Sequence, residues 1–163
     1  MRTIALALFM WSFLSLGGAF CAHANAATLE ELNAAATEFK RNRMSADQLI
    51  AYCTTAAKDD AAPTEVQTAA LVLRGQGRLS KKEFFLAADD ARTALKIDPK
   101  HAPAHILLSS IAEANSRYDE AIAELYKAAK LTDNAFAKST LHQKAEKLRE
   151  RSGRMDSLRP GDL

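Results

Sequence analysis

Apolar residues recur at helical spacing along the chain after residue 27, and runs of Val, Ile and Thr that would indicate strands are missing. Glycine and proline are scarce in this part of the chain, whereas alanine is abundant. The pattern predicts about seven helices with short connections, so neighbouring helices should form antiparallel pairs. The predicted helices cover 28–41, 45–58, 64–78, 80–96, 102–115, 118–131 and 134–151.

Residues at the helix boundaries support this division. Capping-box motifs, in which a hydroxyl and the third residue after it satisfy free backbone N–H groups, lie at 28–31, 45–48, 64–67 and 80–83. Asp98-Pro99 and Pro103 mark the next boundary, because the residue before proline avoids the helical region. Gly153 and Pro160 predict the end of the last helix. The longest connection, 59–63, is where we expect a hinge.

One helical pattern occurs three times. Aligned without gaps, the segments share an alanine at the eleventh position and a closing lysine. They are ADQLIAYCTTAAK (46–58), FFLAADDARTALK (84–96) and YDEAIAELYKAAK (118–130). Ala87 and Ala121 lie 34 positions apart, as do Ala94 and Ala128. A helix pair that repeats at this interval predicts a stack in which each pair covers the apolar face of the next.

With these residues the chain resembles the tetratricopeptide repeat (TPR) family. YDEAIAELYKAAKLTD looks like the second helix of that repeat, and ALKIDPKHAPAH looks like the junction between two repeats. The family's small packing positions match Gly75, Ala87, Ala94, Ser109, Ala121 and Ala128. The resemblance implies an all-α fold of antiparallel helix pairs, stacked as a short TPR α-solenoid with a C-terminal capping helix. Arg74, Arg78 and Asp133 depart from the family's pattern.

The N-terminus has the layout of a secretory signal peptide. Arg2 precedes an apolar run from Ile4 to Phe20, and the Ala-Asn-Ala triplet at 24–26 predicts cleavage after residue 26. An uncleaved membrane anchor is the alternative, but Gly17-Gly18 suits a processing region better. Together with the repeats, this segment resembles small exported repeat proteins of Gram-negative bacteria, which implies a periplasmic or secreted location.

The chain is therefore predicted to contain five parts. They are a signal peptide (1–26), a degenerate N-terminal helix pair (27–63), two TPR-like repeats (64–133), a capping helix (134–152) and a polar tail (153–163). The capping helix is predicted from residues expected along one side of it, namely Phe136, Thr140, Leu141, Ala145 and Leu148. One apolar side and one charged side is what the end of a stack requires.

Composition excludes some partners. Of the 22 Lys and Arg residues only Arg2 precedes residue 27, and all 20 Asp and Glu residues follow it, so the exported part is close to neutral. A nucleic-acid partner is not expected, because binding it needs a basic face. A membrane partner is not expected after signal cleavage. Cys53 is the single cysteine of the exported part, predicted to be buried, with an intermolecular disulfide as the alternative.

Candidate catalytic groups are few. His101 and His105 have a spacing found in zinc sites, but Pro103 lies between them and no further ligand is near in sequence, so we expect packing or surface histidines. Ser109 and Ser110 have no identifiable base. The adjacent carboxylates at 30–31, 59–60 and 89–90 are predicted to lie on solvated helix faces. The sequence predicts no enzyme, cofactor or metal.

The TPR resemblance implies a concave groove lined by the first helix of each repeat. The positions carried over are Val72, Gln76, Leu79, Ile106, Ser110, Glu113, Thr140 and Lys144. The implied function is a periplasmic scaffold or adaptor, or an accessory subunit of an envelope enzyme, whose groove binds a peptide or helix of an unidentified protein partner. The alternative is a structural cell-envelope protein that self-associates, for example as a homodimer, without a separate ligand.

Overall fold

The computed structural model describes residues 27–156, so the predicted signal peptide and residues 157–163 of the predicted tail lie outside the described residues. This part of the chain consists of α-helices and contains no strand, which confirms the all-α prediction. The seven helices are α1 (Leu29–Lys40), α2 (Ala46–Ala57), α3 (Thr64–Ser80), α4 (Phe84–Ile97), α5 (Ala102–Ala114), α6 (Tyr118–Leu131) and α7 (Ala135–Asp156).

Helix contacts follow the order of the chain. Every helix packs against its immediate neighbours, and the pairs α1–α3 and α3–α5 also touch. Within the described range, α1 and α2 make no contact with α5, α6 or α7. The helices therefore form a succession of local contacts, and α3 is the one that contacts four others.

The buried apolar side chains form three clusters that succeed one another along the chain. The first joins α1, α2 and α3 around Leu32 and Leu49, which are both 0% exposed. The second joins α3, α4 and α5 and includes Ala91 and Leu107. The third joins α5, α6 and α7 around Leu125. Each cluster shares one helix with the next, so each helix pair buries an apolar face against its neighbour.

The turns inside the pairs α1–α2, α3–α4 and α5–α6 share one conformation. Asn42, Lys82 and Ser116 have φ of 55°, 62° and 58°, and they are the non-glycine residues with positive φ in residues 27–156. After each, a backbone N–H donates to the carbonyl five residues earlier, as in the Schellman motif. These bonds join Arg43 to Glu38 (2.9 Å), Glu83 to Arg78 (2.9 Å) and Arg117 to Ala112 (2.8 Å).

The pairs α3–α4 and α5–α6 are closely matched. Helices α4 and α6 both have 14 residues, and their first residues, Phe84 and Tyr118, are 34 positions apart. Each of the two is followed by an extended residue, Asp98 and Thr132, again 34 positions apart. The repeat interval of the sequence therefore corresponds to a spacing of helices and turns.

Two of the four predicted capping boxes form. In the first, Thr28 Oγ1 accepts from Glu31 N at 3.2 Å and Glu31 Oε2 accepts from Thr28 N at 2.9 Å. Ser45 and Gln48 make the same reciprocal pair at 3.2 and 2.9 Å. These two boxes fix the starts of α1 and α2.

The predicted box at 64–67 is wrong, because Gln67 bonds backwards to the connection before α3. Its Nε2 donates to the carbonyl oxygens of Asp59 (3.1 Å) and Ala62 (2.9 Å). Ala62 is also buried in the first cluster. The connection predicted to be a hinge is thus tied to α3 by side-chain hydrogen bonds and by apolar packing.

Two predicted helix ends are also wrong. Ser80 lies in the last turn of α3, where its hydroxyl donates to Gly77 O at 2.7 Å, so it caps no helix. Helix α4 consequently begins at Phe84 and not at residue 80. At the C-terminal end, α7 continues through Gly153 to Asp156.

Two glycines allow α3 to approach helices on both of its sides. A Cβ at Gly75 would lie 2.5 Å from a Leu107 methyl and 3.2 Å from the Ala87 carbonyl oxygen. A Cβ at Gly77 would lie 3.0 Å from the Ile50 side chain. Positions two residues apart point about 200° apart around a helix. Gly75 therefore faces α4 and α5, while Gly77 faces α2, a role that the sequence did not suggest.

Candidate partner-binding groove

The six small residues predicted at packing positions are all buried. Five of them are 0% exposed, namely Ala87, Ala94, Ser109, Ala121 and Ala128, and Gly75 is buried against Leu107. The Ser109 hydroxyl has no hydrogen-bond partner among the described residues. These side chains lie at close helix contacts and not at a surface that a partner could reach.

The predicted groove residues lie on α3, α5 and α7, with different exposure. The half-buried ones are Gln76, Leu79, Ile106, Ser110, Glu113 and Lys144, and Thr140 is exposed. Val72 is only 3% exposed and belongs to the second core cluster, so its assignment to a partner contact is wrong. Leu79 packs partly against the same cluster. Apart from Gln76 on α3, the accessible part of the predicted groove therefore lies along α5 and α7.

A pocket opens between the beginnings of α5 and α7. Its volume is about 410 Å³, and two of the predicted groove residues, Ile106 and Thr140, line it. The remaining lining residues are Ala102, Pro103, Thr132, Phe136, Ala137 and Leu141. Most of these side chains are apolar, so the pocket suits an apolar side chain of a ligand. We call the pocket and its continuation along α5 and α7 the α5–α7 groove.

Phe136 is a groove residue that the sequence assigned to the packing side of α7. Its side chain is 81% exposed, whereas Leu141, Ala145 and Leu148 are buried in the third cluster. Thr140 is exposed as well. Leu141 lies five positions after Phe136, so the two side chains point about 140° apart on a helix. That angle was the available signal that Phe136 lies on another side.

Charged residues bridge the other end of the groove. Lys144 Nζ lies 3.1 Å from Glu113 Oε2, and Arg151 Nη1 lies 3.8 Å from Glu113 Oε1. No Cα atom of α5 comes within 8 Å of a Cα atom of α7, so these ion pairs span a gap between the two helices. The sequence proposed Glu113 and Lys144 as separate ligand contacts, and the structure pairs them with each other.

Two hydroxyls inside the groove are engaged within their own helices. Ser110 Oγ donates to Ile106 O at 3.0 Å, and Thr140 Oγ1 donates to Phe136 O at 2.9 Å. A hydroxyl that donates its hydrogen keeps lone pairs that can accept from a ligand N–H. The groove therefore offers an apolar pocket, two hydroxyl acceptors and a charged end.

The two histidines considered as metal ligands have different surroundings. His105 Nδ1 lies 2.7 Å from Glu124 Oε2, and Lys127 Nζ lies 2.7 Å from Glu124 Oε1. Burial alone would raise the pKa of Glu124, but the hydrogen bonds from Lys127 and His105 outweigh it and lower that pKa below its ordinary 4.5. Burial lowers the pKa of His101, against the opposing charge of Asp98.

Neither a metal site nor a membrane span is found in the part of the chain that the structure describes. No group of three or more His, Cys, Asp and Glu side chains there is placed to hold a metal ion. No helix within residues 27–156 is both long and apolar enough to cross a bilayer.

A buried ion-pair triad joins α3 to α4. Asp90 is 1% exposed, which corrects the prediction that it lies on a solvated face, whereas Asp89 is exposed. Arg74 Nη2 donates to Asp90 Oδ1 at 2.7 Å, and Arg78 Nη1 lies 2.7 Å from Asp90 Oδ2. The signal in the sequence was the pair of arginines, one helical turn apart, at positions where the TPR pattern has apolar residues.

Cys53 is inaccessible. Its side chain is 0% exposed in the first cluster, which confirms the prediction that it is buried. Burial raises the pKa of the thiol to about 12, although the charge of Arg74 opposes that shift. A buried neutral thiol is a poor nucleophile for disulfide exchange. An intermolecular disulfide at Cys53 is therefore disfavoured.

No protein-family model matches the chain, and no curated protein matches it significantly in sequence.

Proposed function

We propose that the protein is a short TPR-type interaction module, a scaffold or adaptor without catalytic activity, that binds a peptide or helix of a partner protein in the α5–α7 groove. The fold is supported by the repeated turn at Asn42, Lys82 and Ser116, the matched positions of α4 and α6, and the three successive clusters. The observation that carries the function is the apolar pocket beside an exposed Phe136.

The groove favours a ligand that combines one apolar side chain with polar backbone. The pocket formed by Ile106 and Phe136 would cover an apolar side chain, and full burial of such a side chain contributes about 1.5–3 kcal/mol. Backbone N–H groups of the ligand can donate to Ser110 and Thr140. Lys144 and Glu113 are about one-third exposed, so a charged ligand group can exchange with their ion pair.

We also propose that the protein acts in the periplasm after removal of residues 1–26. This part of the proposal rests on the signal-peptide pattern of the sequence. Mass spectrometry of the protein purified from its native host should give a chain that begins at Ala27. A chain that retains Met1 and sediments with membranes would show an uncleaved anchor instead.

Site-specific photo-crosslinking tests the groove. A benzophenone amino acid replaces Phe136 in the full chain expressed in the native host, and Ala123, which is exposed on α6, carries the same probe as the matched control. We expect an adduct with one protein from position 136 and none from position 123. Equal adducts from both positions, or none from either, would contradict the groove assignment.

Binding of the identified partner must then depend on groove side chains. Ile106→Asp places a charge in the pocket, and reversal of Glu113 and Lys144 changes the charged end. We expect each variant to weaken binding of the purified partner at least tenfold, while circular dichroism shows that the variant is folded at the temperature of the binding measurement. Undiminished binding by folded variants would place the partner on another surface.

Self-association is the second candidate, and two exposed aromatic side chains favour it. Phe85 is 79% exposed and Phe136 is 81% exposed, and exposed apolar patches often mark contacts between proteins. Sedimentation velocity of the protein purified from its native host distinguishes the candidates. A monomer at micromolar concentration supports an adaptor, whereas a dimer that dissociates on Phe136→Glu supports self-association.

A further inference from the structure

We propose a second binding site on a separate surface, in a cleft between the N-terminal half of α4 and the end of α5, for an acidic hydrophobic segment of a partner protein. The cleft has a volume of about 470 Å³. It is formed mainly by Phe85, Ala88 and Arg92 of α4, Ile111 of α5 and Arg117 of the following turn. We call it the α4–α5 cleft. It shares no lining residue with the pocket of the α5–α7 groove.

The next helix pair shows why this cleft is open. The residue 34 positions after Ala88 is Ile122, which is 8% exposed and belongs to the third cluster. A bulky side chain therefore fills the corresponding space beside α6, where α4 has a methyl group. Tyr118, which corresponds to Phe84, is buried with the Arg151 guanidinium 5.3 Å from its ring centre. At the positions equivalent to Ala88 and Phe84, the second pair thus has a larger buried side chain and a ring that is covered by Arg151.

Large exposed apolar side chains also lie at the start of α4 and not at the equivalent place on α6. Phe85 is 79% exposed, and its neighbour Leu86 is 44% exposed. The residue 34 positions after Phe85 is Asp119, an exposed charged residue, as is usual at a protein surface. A large aromatic side chain at the mouth of an open cleft has the character of an interface centre, where aromatic residues and arginine are enriched.

The charge of the cleft selects the ligand. Its lining includes two arginines and no carboxylate. Arg92 is exposed, and no carboxylate of the described residues lies within 4 Å of its charged group. Arg117 Nη1 is 2.7 Å from Glu120 Oε2, but both side chains are about half exposed, and such ion pairs exchange readily.

The occupant that fits is a peptide segment with an aromatic or aliphatic side chain next to a carboxylate. The apolar side chain would lie on Phe85 and Ala88, and the carboxylate would accept two parallel hydrogen bonds from a guanidinium. A lipid acyl chain would need a more enclosed pocket than this solvent-open cleft. A peptide that buries one side chain and has a charge beside it can bind in an open cleft.

Peptide display tests the proposal. A random twelve-residue peptide library is selected on the protein purified from its native host, and the enriched peptides are synthesised and their binding measured by fluorescence polarisation. We expect enrichment of sequences with Phe, Trp or Leu adjacent to Asp or Glu. Ala88→Ile, which copies Ile122, and Arg92→Glu should each weaken their binding at least tenfold. Ile106→Asp in the α5–α7 groove should leave it unchanged.

The remaining outcomes decide against the site. Selection of no acidic apolar sequence, or selected peptides that bind equally to folded Arg92→Glu, would overturn it. So would loss of binding on Ile106→Asp alone, because the peptides would then occupy the other groove. Flotation with phosphatidylglycerol vesicles that is lost in Phe85→Glu would show a lipid ligand. A dimer that Phe85→Glu dissociates would show a second copy as the occupant.

Discussion

The helix pairs α3–α4 and α5–α6 carry a carboxylate at the same place in the second helix but surround it differently. Asp90 is the seventh residue of α4, and Glu124 is the seventh residue of α6. In the first pair, Asp90 is 1% exposed and is held between Arg74 and Arg78 of the facing helix. Two fixed cations satisfy that carboxylate, and little water reaches it.

The second pair holds its carboxylate with weaker donors. Glu124 is half-buried between His105 of α5 and Lys127 of its own helix. Where the first pair has arginines, the second has Leu108 and Ala112. Removing one partner from a fully buried ion pair leaves an uncompensated charge. The Lys127 side chain that remains after loss of Glu124 is 57% exposed, so its charge can be resolvated. The same backbone therefore tolerates the loss of one carboxylate far less than the loss of the other.

The largest effect should come from Asp90→Asn. It leaves the Arg74 and Arg78 side chains, which are only 14% and 19% exposed, without their buried counter-charge, and we expect the free energy of unfolding to fall by about 3–5 kcal/mol. Urea denaturation measures this fall. Asp89→Asn is the matched control, because Asp89 is exposed and should change stability by less than about 0.5 kcal/mol.

Replacing the whole triad sharpens this result. In the triple variant Arg74→Leu, Arg78→Ala and Asp90→Ala, the two arginines are replaced by the apolar residues that the second pair has at the same positions. The carboxylate is removed as well. Apolar replacement of a buried ion-pair group is often neutral or stabilising. We expect the triple variant to be more stable than Asp90→Asn. A triple variant that is less stable than Asp90→Asn would show that the three side chains stabilise the fold by more than neutralising one another's charge.

A smaller and pH-dependent effect is expected for Glu124→Gln. The variant keeps the shape but weakens two charge-assisted hydrogen bonds, so it should lose about 1 kcal/mol at pH 7. The pKa of Glu124 is lower in the folded protein than its ordinary 4.5, so the stabilisation is present above 4.5 and is lost as the pH falls through the folded value. The difference from wild type, followed by thermal melting, should therefore disappear in acid. A difference that grows on acidification would contradict this assignment.

The smallest effect is expected in the turn that joins the helices of both pairs. Lys82 and Ser116 both occupy the left-handed region that glycine adopts most easily. Lys82→Gly and Ser116→Gly should each stabilise the protein by about 0.5–1 kcal/mol, because relief of backbone strain exceeds the entropy that glycine adds to the unfolded chain. Chemical denaturation measures both. Destabilisation by either variant would show that its turn depends on side-chain contacts.

Local sequence features predicted the helices well and their ends less well. Helical spacing is a property of neighbouring residues, so the number of helices and the all-α class follow from it. The boxes at Thr28 and Ser45 formed because their partners are three residues away. Gln67 failed as a cap residue because its amide donates to carbonyl oxygens five and eight residues earlier. Ser80 failed because its hydroxyl donates to the carbonyl three residues earlier in the same helix, a local bond that competes with capping.

Contacts between helices account for the features that the sequence did not predict. The burial of Asp90 depends on two arginines of the preceding helix, and the pairing of Glu113 with Lys144 spans two helices. Val72 was placed in the groove by resemblance, but in this chain it lies in the core. Phe136 could have been assigned correctly, because its angle on α7 differs from that of the buried leucines. The groove itself follows from the stacking of helices and not from any motif.

Three local clusters of buried side chains succeed one another along the chain, and native-state hydrogen exchange of two core variants measures whether they unfold separately. Leu49→Ala removes a side chain that is 0% exposed in the first cluster, and Leu125→Ala does the same in the third. We expect Leu49→Ala to lower amide protection in α1 and α2 while α6 and α7 stay protected, and Leu125→Ala to do the reverse. Equal loss of protection from α1 to α7 in both variants would contradict the account, because it would indicate one cooperative core.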